Sequence, residues 1–507
     1  MYRTHIDGVP VLRLSEPGPL RATLRFGAGA RDEDFRTLGI NRLIAALAVR
    51  CTARPEGAVH EEPAGTGAAA GTESAGTGAV GAAGPEETRF EVSGSPEEVA
   101  ACLESLCRAL SDLPAGRLGE VADVLDGGDT RYLDPRAAVA LNTRFGSQAA
   151  GLHGHHRDGD HLPTEDMLRA HAAAWFTRSN AVVTLTGPVP AGLRLPLPGG
   201  ERPRRTAPVA RCPRPSWTCR ETDGVALSTE AAIGSLAAAA AHGLLRERVT
   251  AVLSGRPGTS APPEETTVLR DSVTVVRLLL ADASGDDAAA VAATVWAEAL
   301  RLAREEPAPD EVARHIHRPE GAAGRLRTLE DAARHELFGT PCLDQGSLSR
   351  AGEAVTPADV SDAWRRALAQ AQVVVPAPLA LDLAGPDGRV LWGTFCWVWD
   401  ELPPWGEEFR RPRLTRMLRR DPDGTDWVVL TPDAVVSCRP GRIHELRFED
   451  VIALERWGTV RNLIGRCGCS IGIDPSWYRG GERLVRAVDE AVPAHLAFEA
   501  ADPEESA

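Results

Sequence analysis

The order of apolar and polar positions divides the chain into alternating strands and helices. VPVLRL and LRATLRFGAG are short β-type runs, and from Asp34 to Arg50 apolar residues recur at helical spacing. TRFEVSG then predicts a strand and SPEEVAACLESLCRALSDL a helix, with Ser95 as N-cap and Glu98 completing a capping box. Helices near 135–150 and 164–176 and the strand AVVTLTG follow. A second block repeats the style. It has strands SWTCRET and GVALSTEA, a long helix from Ala231 to Leu253 and the strand SVTVVRLLLAD. Helices follow at about 286–305, 309–317, 328–337 and 357–370, and the strand QVVVP closes the block. Two blocks of similar size and element order predict a duplicated α+β lobe.

From about residue 385 the pattern changes to short alternating strands: WGTFCWVWD, DWVVLTP, AVVSCRP, IHELRF, VIALERW and NLIGRCGCSIGID. One amphipathic helix follows, GGERLVRAVDEAV, with Leu484, Val485 and Val488 on its apolar side. Strands closed by a single helix resemble a pleckstrin-homology-like domain in pattern. The expected organisation is a lobe at 1–187, a linker at 188–215 rich in proline and arginine, and a second lobe at 216–378. A β-rich domain at 379–499 and an acidic tail at 500–507 complete it. Residues 53–87 are low-complexity Gly/Ala/Thr and are expected to form a disordered insertion, because they offer too little apolar surface to offset ordering entropy.

Composition narrows the chemistry. All 56 basic residues are arginine, as a GC-rich genome would favour. Without lysine, P-loop, Schiff-base and kinase-type lysine chemistries are excluded. A formal net charge of −15 argues against a nucleic-acid partner, which needs clustered positive charge. The local exception, Arg410, Arg411, Arg413, Arg416, Arg419 and Arg420, reads as a solvated face or linker, or as a surface for an acidic partner or a membrane. The N-terminus lacks the apolar stretch of a secretory signal, and no run is long enough to span a bilayer, so a cytoplasmic location is expected. Ten cysteines in 507 residues do not make a disulfide scaffold. Cys467-Gly-Cys469 is read as part of a strand, and without paired CxxC motifs no zinc ribbon is expected.

The stretch LRFGAGARDEDFRTLGINRLIAALAVR supplies Gly27, Gly29, Arg31, Asp32, Glu33 and Gly39 in the order of a known signature. It resembles the N-terminal segment of the pitrilysin/insulinase family of zinc peptidases, which includes the mitochondrial processing peptidases. FEVSGSPEEVAACLESLCRAL, NTRFGSQAAGL and LPTEDMLRAHAAAWFTRSNAVVTLTGPVPAGLRLPLPGG extend the resemblance. It implies α+β lobes of the insulinase (LuxS/processing-peptidase-like) type.

Such peptidases carry His-x-x-Glu-His on the helix after the signature glycine. Two histidines four apart share a helical face and bind zinc, while the glutamate polarises water. Counting from Gly39, those positions hold Arg42, Ala45 and Ala46. A third ligand, a downstream glutamate, falls at Gly127 or Gly128, after Glu120, Val124 and Leu125. Neither arginine nor alanine can ligate zinc. The resemblance also implies a substrate-holding arginine and tyrosine in the second lobe. Arg246 or Arg248 could supply the first, but no tyrosine lies between Tyr132 and Tyr478.

The expectation is therefore a degenerate peptidase with no catalytic residue, no metal and no cofactor. It would be an inactive subunit, or a peptide-binding partner, of an active zinc peptidase. The alternatives are a standalone interaction protein acting through its C-terminal domain, or an active zinc endopeptidase using other ligands. His153, His155, His156 and His161 are the alternative metal set, and His315 and His317 read as exposed helix-end residues. Trp392, Trp397, Trp399 and Trp405 read as packing at a domain entry or as a peptide groove.

Overall fold

The computed structural model describes residues 1–51, 72–73, 79–121, 133–154, 163–254, 261–283, 285, 287–316, 321–342, 344–396, 405–412, 426–439 and 442–499. The first lobe opens with β1 (Tyr2–Ile6), β2 (Val9–Arg13) and β3 (Leu20–Phe26), followed by helix α1 (Ile40–Arg50). The expected helix from Asp34 is shortened, because Gly39 takes a left-handed conformation (φ 82°) and starts it there. Strands β4 (Thr72–Glu73), β5 (Ala79–Ala83) and β6 (Thr88–Gly94) follow, then α2 (Pro96–Ser111), α3 (Pro135–Phe145), α4 (Glu165–Trp175) and β7 (Ala181–Leu185). Ser95 and Glu98 close the expected capping box on α2.

The second lobe runs β8 (Ser216–Arg220), β9 (Gly224–Ala232), α5 (Leu236–Leu253), β10 (Glu264–Leu269) and β11 (Thr274–Asp282). It continues through α6 (Asp287–Arg304), α7 (Pro309–Ile316), α8 (Gly321–Phe338), α9 (Gln345–Glu353), α10 (Pro357–Leu368), β12 (Gln372–Pro376) and β13 (Trp392–Gly393). The sheets share one plan. In the first the order is β2-β7-β3-β6-β5, and in the second β8-β12-β9-β11-β10. In each, the leading pair is parallel and the rest are antiparallel. Duplication is thus written in the topology.

Each sheet packs its own helices on one face and a helix from the other lobe on the opposite face. Ala137, Ala140, Leu141 and Phe145 of α3 cluster with Ala226, Val276, Leu278 and Val374 of the second sheet. Reciprocally, Leu329, Ala332, Ala333 and Leu337 of α8 cluster with Leu12 and Val182 of the first. A sheet buried on both faces needs apolar residues throughout, and all five residues of β7 are buried.

Part of the presumed disordered insertion is a core strand. β5 pairs along its whole length with β6, and four of its five residues are buried. The glycine and alanine content has a steric cause. A Cβ added at Gly81 would stand 2.8 Å from Val49 Cγ2 and 3.2 Å from Ala45 O, so α1 leaves no room for a larger residue. Of the expected insertion, 53–71 and 74–78 lie outside the described residues.

The second lobe continues beyond residue 378. β13 pairs with β8, and Leu381 and Leu391 belong to the lobe's core. Of WGTFCWVWD, expected as a strand of the last block, the described residues contribute Trp392 and Gly393 to that sheet.

The C-terminal block is built from two four-stranded sheets. The first joins β14 (Glu407–Arg410), β15 (Trp427–Leu430), β16 (Ala434–Arg439) and β17 (Arg442–Arg447) in sequential antiparallel order. β18 (Val451–Trp457), β19 (Val460–Gly465) and β20 (Ser470–Ile473) are antiparallel, and after α11 (Gly481–Ala491) strand β21 (Ala497–Glu499) adds parallel to β18. Leu484, Val485 and Val488, the apolar stripe expected of α11, enter a core with Phe409, Val435, Leu454 and Leu463. Among the described residues no helix is long and apolar enough to cross a membrane.

Candidate functional site

Helix α1 occupies the place where the resemblance puts catalytic zinc, and its own residues define what remains. Ala45 and Ala46 are only 1% and 3% exposed and lie in the main core of the first lobe. Arg42 is half-buried. The positions that would carry the glutamate and the second imidazole thus carry methyl groups packed among apolar side chains. Gly127 and Gly128, at the third-ligand position, lie outside the described residues.

The signature around this helix has kept a structural task. Glu33 receives hydrogen bonds from Gly39 N (2.8 Å), Asn41 N (3.2 Å) and Asn41 Nδ2 (3.0 Å). Its carboxylate therefore caps α1, where the exposed amides and the helix dipole favour negative charge. Asn41, fully buried, also donates to Gly29 O and meets His171 Nε2 at 3.0 Å. Burial lowers the His171 imidazole to about 4, so it is neutral at physiological pH.

Arg31 and Asp32 belong to the seam between lobes. Arg31 donates to Leu269 O (2.7 Å) and Arg270 O (2.9 Å), while Leu269 N donates to Glu86 Oε1 (2.7 Å). Asp32 is paired with Arg205 of the linker. Burial raises both the Asp32 and Glu86 carboxyls above the usual range, against the pull of Arg205 on the first and Arg334 on the second. Farther along the seam, Arg144 reaches from α3 to Ser228 O (2.7 Å), Gln370 O (3.0 Å) and Glu230 (3.2 Å), and Arg270 also pairs with Glu230. These residues tie the two lobes by direct hydrogen bonds.

Of the histidine alternative, one member is among the described residues. His153 is described, and burial lowers it to about 3; His155, His156 and His161 lie outside the described residues. Arg248 pairs with Glu311 at 3.2 Å, whereas Arg246 is exposed. His315, expected to be exposed, instead packs against Gly243 and meets Glu247 at 2.6 Å, because α7 crosses α5 there; His317 is not described. Trp392 and Trp405 are exposed, and Trp397 and Trp399 are outside the described residues. Of the arginine run, Arg410 and Arg411 are described, stacked over Trp427 and Trp477.

Sequence reasoning passed over the cysteines. Among the described residues one group of side chains has metal-ligating geometry: Cys396, Cys467 and Cys469, whose sulfur atoms all lie within 4.8 Å of one another. Cys467-Gly-Cys469 is not in a strand but in the turn between β19 and β20, where Gly468 takes φ 82°. Arg211 Nη2 lies 2.7 Å from Cys396 Sγ, and Arg220 lies beside Cys396 and Cys469. Hydrogen bonds from the Cys467 and Cys469 thiols, with both guanidiniums beside them, pull Cys396 far below the ordinary thiol value; those same bonds push Cys469 up. The CxC spacing was the available signal. Its partner, 71 positions upstream at Cys396, could be found only from the fold.

No sequence profile of a protein family matches this chain, and the curated proteins give no match. Solved structures do. A peptidase M16 inactive domain from Pseudomonas fluorescens aligns with TM-score 0.55 and 15% identity, over 75% of this chain and 98% of that one. A protease from Helicobacter pylori aligns at TM-score 0.52 and 13% identity, over 74% of this chain and 99% of its own. The ferredoxin protease FusC, solved with Arabidopsis ferredoxin, aligns at TM-score 0.52 and 13% identity over 90% of this chain and 56% of that one. Two α+β lobes of matching topology, exchanging helices across a common seam, make this a chain with the insulinase-type (M16 peptidase) fold.

Proposed function

We propose that this protein is a non-catalytic insulinase-type chain that works by binding a protein or an extended peptide, as the inactive partner of an active zinc peptidase. The observation that carries this reading is α1: Ala45 and Ala46 stand in the core where a metal ligand and a general base would be required. Alanine has no group that can bind zinc or accept a proton. The similarity to an M16 inactive domain accords with it. Sheet edges such as β1 and β10 offer a route to an extended peptide by strand addition. We read the C-terminal block as pleckstrin-homology-like, on its antiparallel strands capped by α11, and as a second docking element. A reducing, cytoplasmic setting accords with the ten free cysteines.

The test is peptide hydrolysis by the full chain, supplied with zinc, with and without a chelator. No turnover is expected under either condition. Hydrolysis that the chelator abolishes and that survives Cys396→Ser would overturn the reading. A pull-down from the native host should recover a chain with an intact His-x-x-Glu-His.

A further inference from the structure

The cluster of Cys396, Cys467 and Cys469 joins three parts of the molecule. Cys396 follows β13 at the edge of the second lobe, and the other two lie in the β19–β20 turn of the C-terminal block. The same turn rests on the first lobe: Ser147 N donates to Arg466 O at 3.0 Å, and Gly468 packs on the Asn142 side chain. Arg211, which donates to Cys467 O at 2.7 Å, comes from the linker. The site is remote in sequence from α1 and independent of the proposed loss of peptidase chemistry.

The geometry points to a structural zinc site in which Cys396, Cys467 and Cys469 are three of the ligands and His444 is the fourth. Tetrahedral zinc with bonds of about 2.3 Å holds its sulfurs roughly 3.8 Å apart, a spacing that the observed cluster reaches by small side-chain rotations. His444, on β17, has a buried Nε2 with no hydrogen-bond partner, and it lies in the neighbourhood of Cys396, Arg211 and Arg220. It stands outside the 4.8 Å group, so binding requires it to swing toward the sulfurs.

Charge supports the same ion. A zinc ion with three thiolates and a neutral imidazole carries one net negative charge; Arg211 already donates to Cys396, and Arg220 lies beside Cys396 and Cys469. Guanidinium groups in that position orient the ligands and offset the charge, as outer-shell partners of zinc do. Gly468 serves the turn: its positive φ and its contact with Asn142 leave no room for a side chain, which holds Cys467 and Cys469 on one side. Zinc here would fasten the C-terminal block to the second lobe.

The experiment uses the full chain purified under reducing conditions, with zinc measured by mass spectrometry and cobalt as a spectroscopic substitute. One zinc per chain is expected, and the cobalt form should show intense thiolate-to-metal absorption. Cys396→Ser, Cys467→Ser and Cys469→Ser should each weaken that band, while Cys102→Ser leaves it unchanged. Arg211→Gln keeps all ligands and should lower zinc affinity by about 10–100-fold. It also guards against a ligand variant that fails to fold. Three results would overturn the proposal: no zinc taken up when zinc is supplied, zinc retained by the triple serine variant, or isolation with Cys396 in a disulfide to Cys467 or Cys469.

Discussion

Arg144 of the first lobe donates a 2.7 Å hydrogen bond to the carbonyl of Ser228 in the second, from a position with no solvent exposure. The guanidinium also meets Glu230, so a buried ion pair and two carbonyls hold the lobes together at one point. Burial lowers Arg144 to about 10, still protonated at neutral pH. Arg144→Ala leaves Glu230 with Arg270 and removes the hydrogen bonds to two carbonyls. A loss of about 3–5 kcal/mol in unfolding free energy is expected from chemical denaturation. A change below about 1 kcal/mol would show that the seam contributes little.

Gly81 and Ala45 set a second limit. Gly81→Val would push Cβ against Val49 and the backbone of α1. Overpacking of this kind costs about 1–3 kcal/mol, and a lower Tm is expected. An unchanged Tm would mean that β5 is only loosely held.

Arg42→His, Ala45→Glu and Ala46→His together rebuild the missing motif in sequence. Because positions 45 and 46 lie in the core, the triple variant should lose stability and gain no hydrolysis. The joint measurement is thermal unfolding and turnover of a quenched peptide. Zinc-dependent turnover would show that the chain lacks only these three side chains.

Buried histidines fix the acid side of the stability curve. His171 is lowered by burial to about 4, and His242, which meets Thr229 Oγ1 at 2.8 Å, to about 3. Their folded values lie below the unfolded value of about 6.5. Below that pH the unfolded chain binds protons that the folded chain refuses. Their contribution is therefore complete above about pH 6.5 and falls as the pH drops toward 4, by up to about 1.4 kcal/mol per pH unit for each histidine. His242→Gln should flatten this part of the denaturation profile; an unaltered slope would assign the acid sensitivity elsewhere.

Val488 is fully buried beneath the C-terminal sheets, and Val485 is 9% exposed. Val485→Asp with Val488→Asp would bury charges without partners. Limited proteolysis of the full chain should then cut first within 405–499, whereas an unchanged digestion pattern would show that α11 does not close this core.

Local chemistry was enough to read some of this protein from its sequence. The Ser95 and Glu98 capping box, the apolar stripe of α11 and the repeated element order of two α+β lobes depend on neighbours a few residues apart. Periodicity records such neighbours directly. The expectation of a degenerate zinc motif at Arg42, Ala45 and Ala46 likewise rests on local chemistry, because ligation depends on side-chain identity before it depends on geometry.

Other features were decided only when distant segments met. Ala79–Ala83 looked like a tract without a core, yet it is a core strand because α1 presses on it and admits only small residues. Residues 379–393 looked like the start of the last block, but β8 offered Trp392 and Gly393 an open edge. The exchange of α3 and α8 between lobes leaves no local signature, since an amphipathic helix does not specify which sheet it covers. Cys396 and the Cys467-Gly-Cys469 turn, far apart along the chain, became one cluster for the same reason: tertiary packing alone brings their sulfurs together.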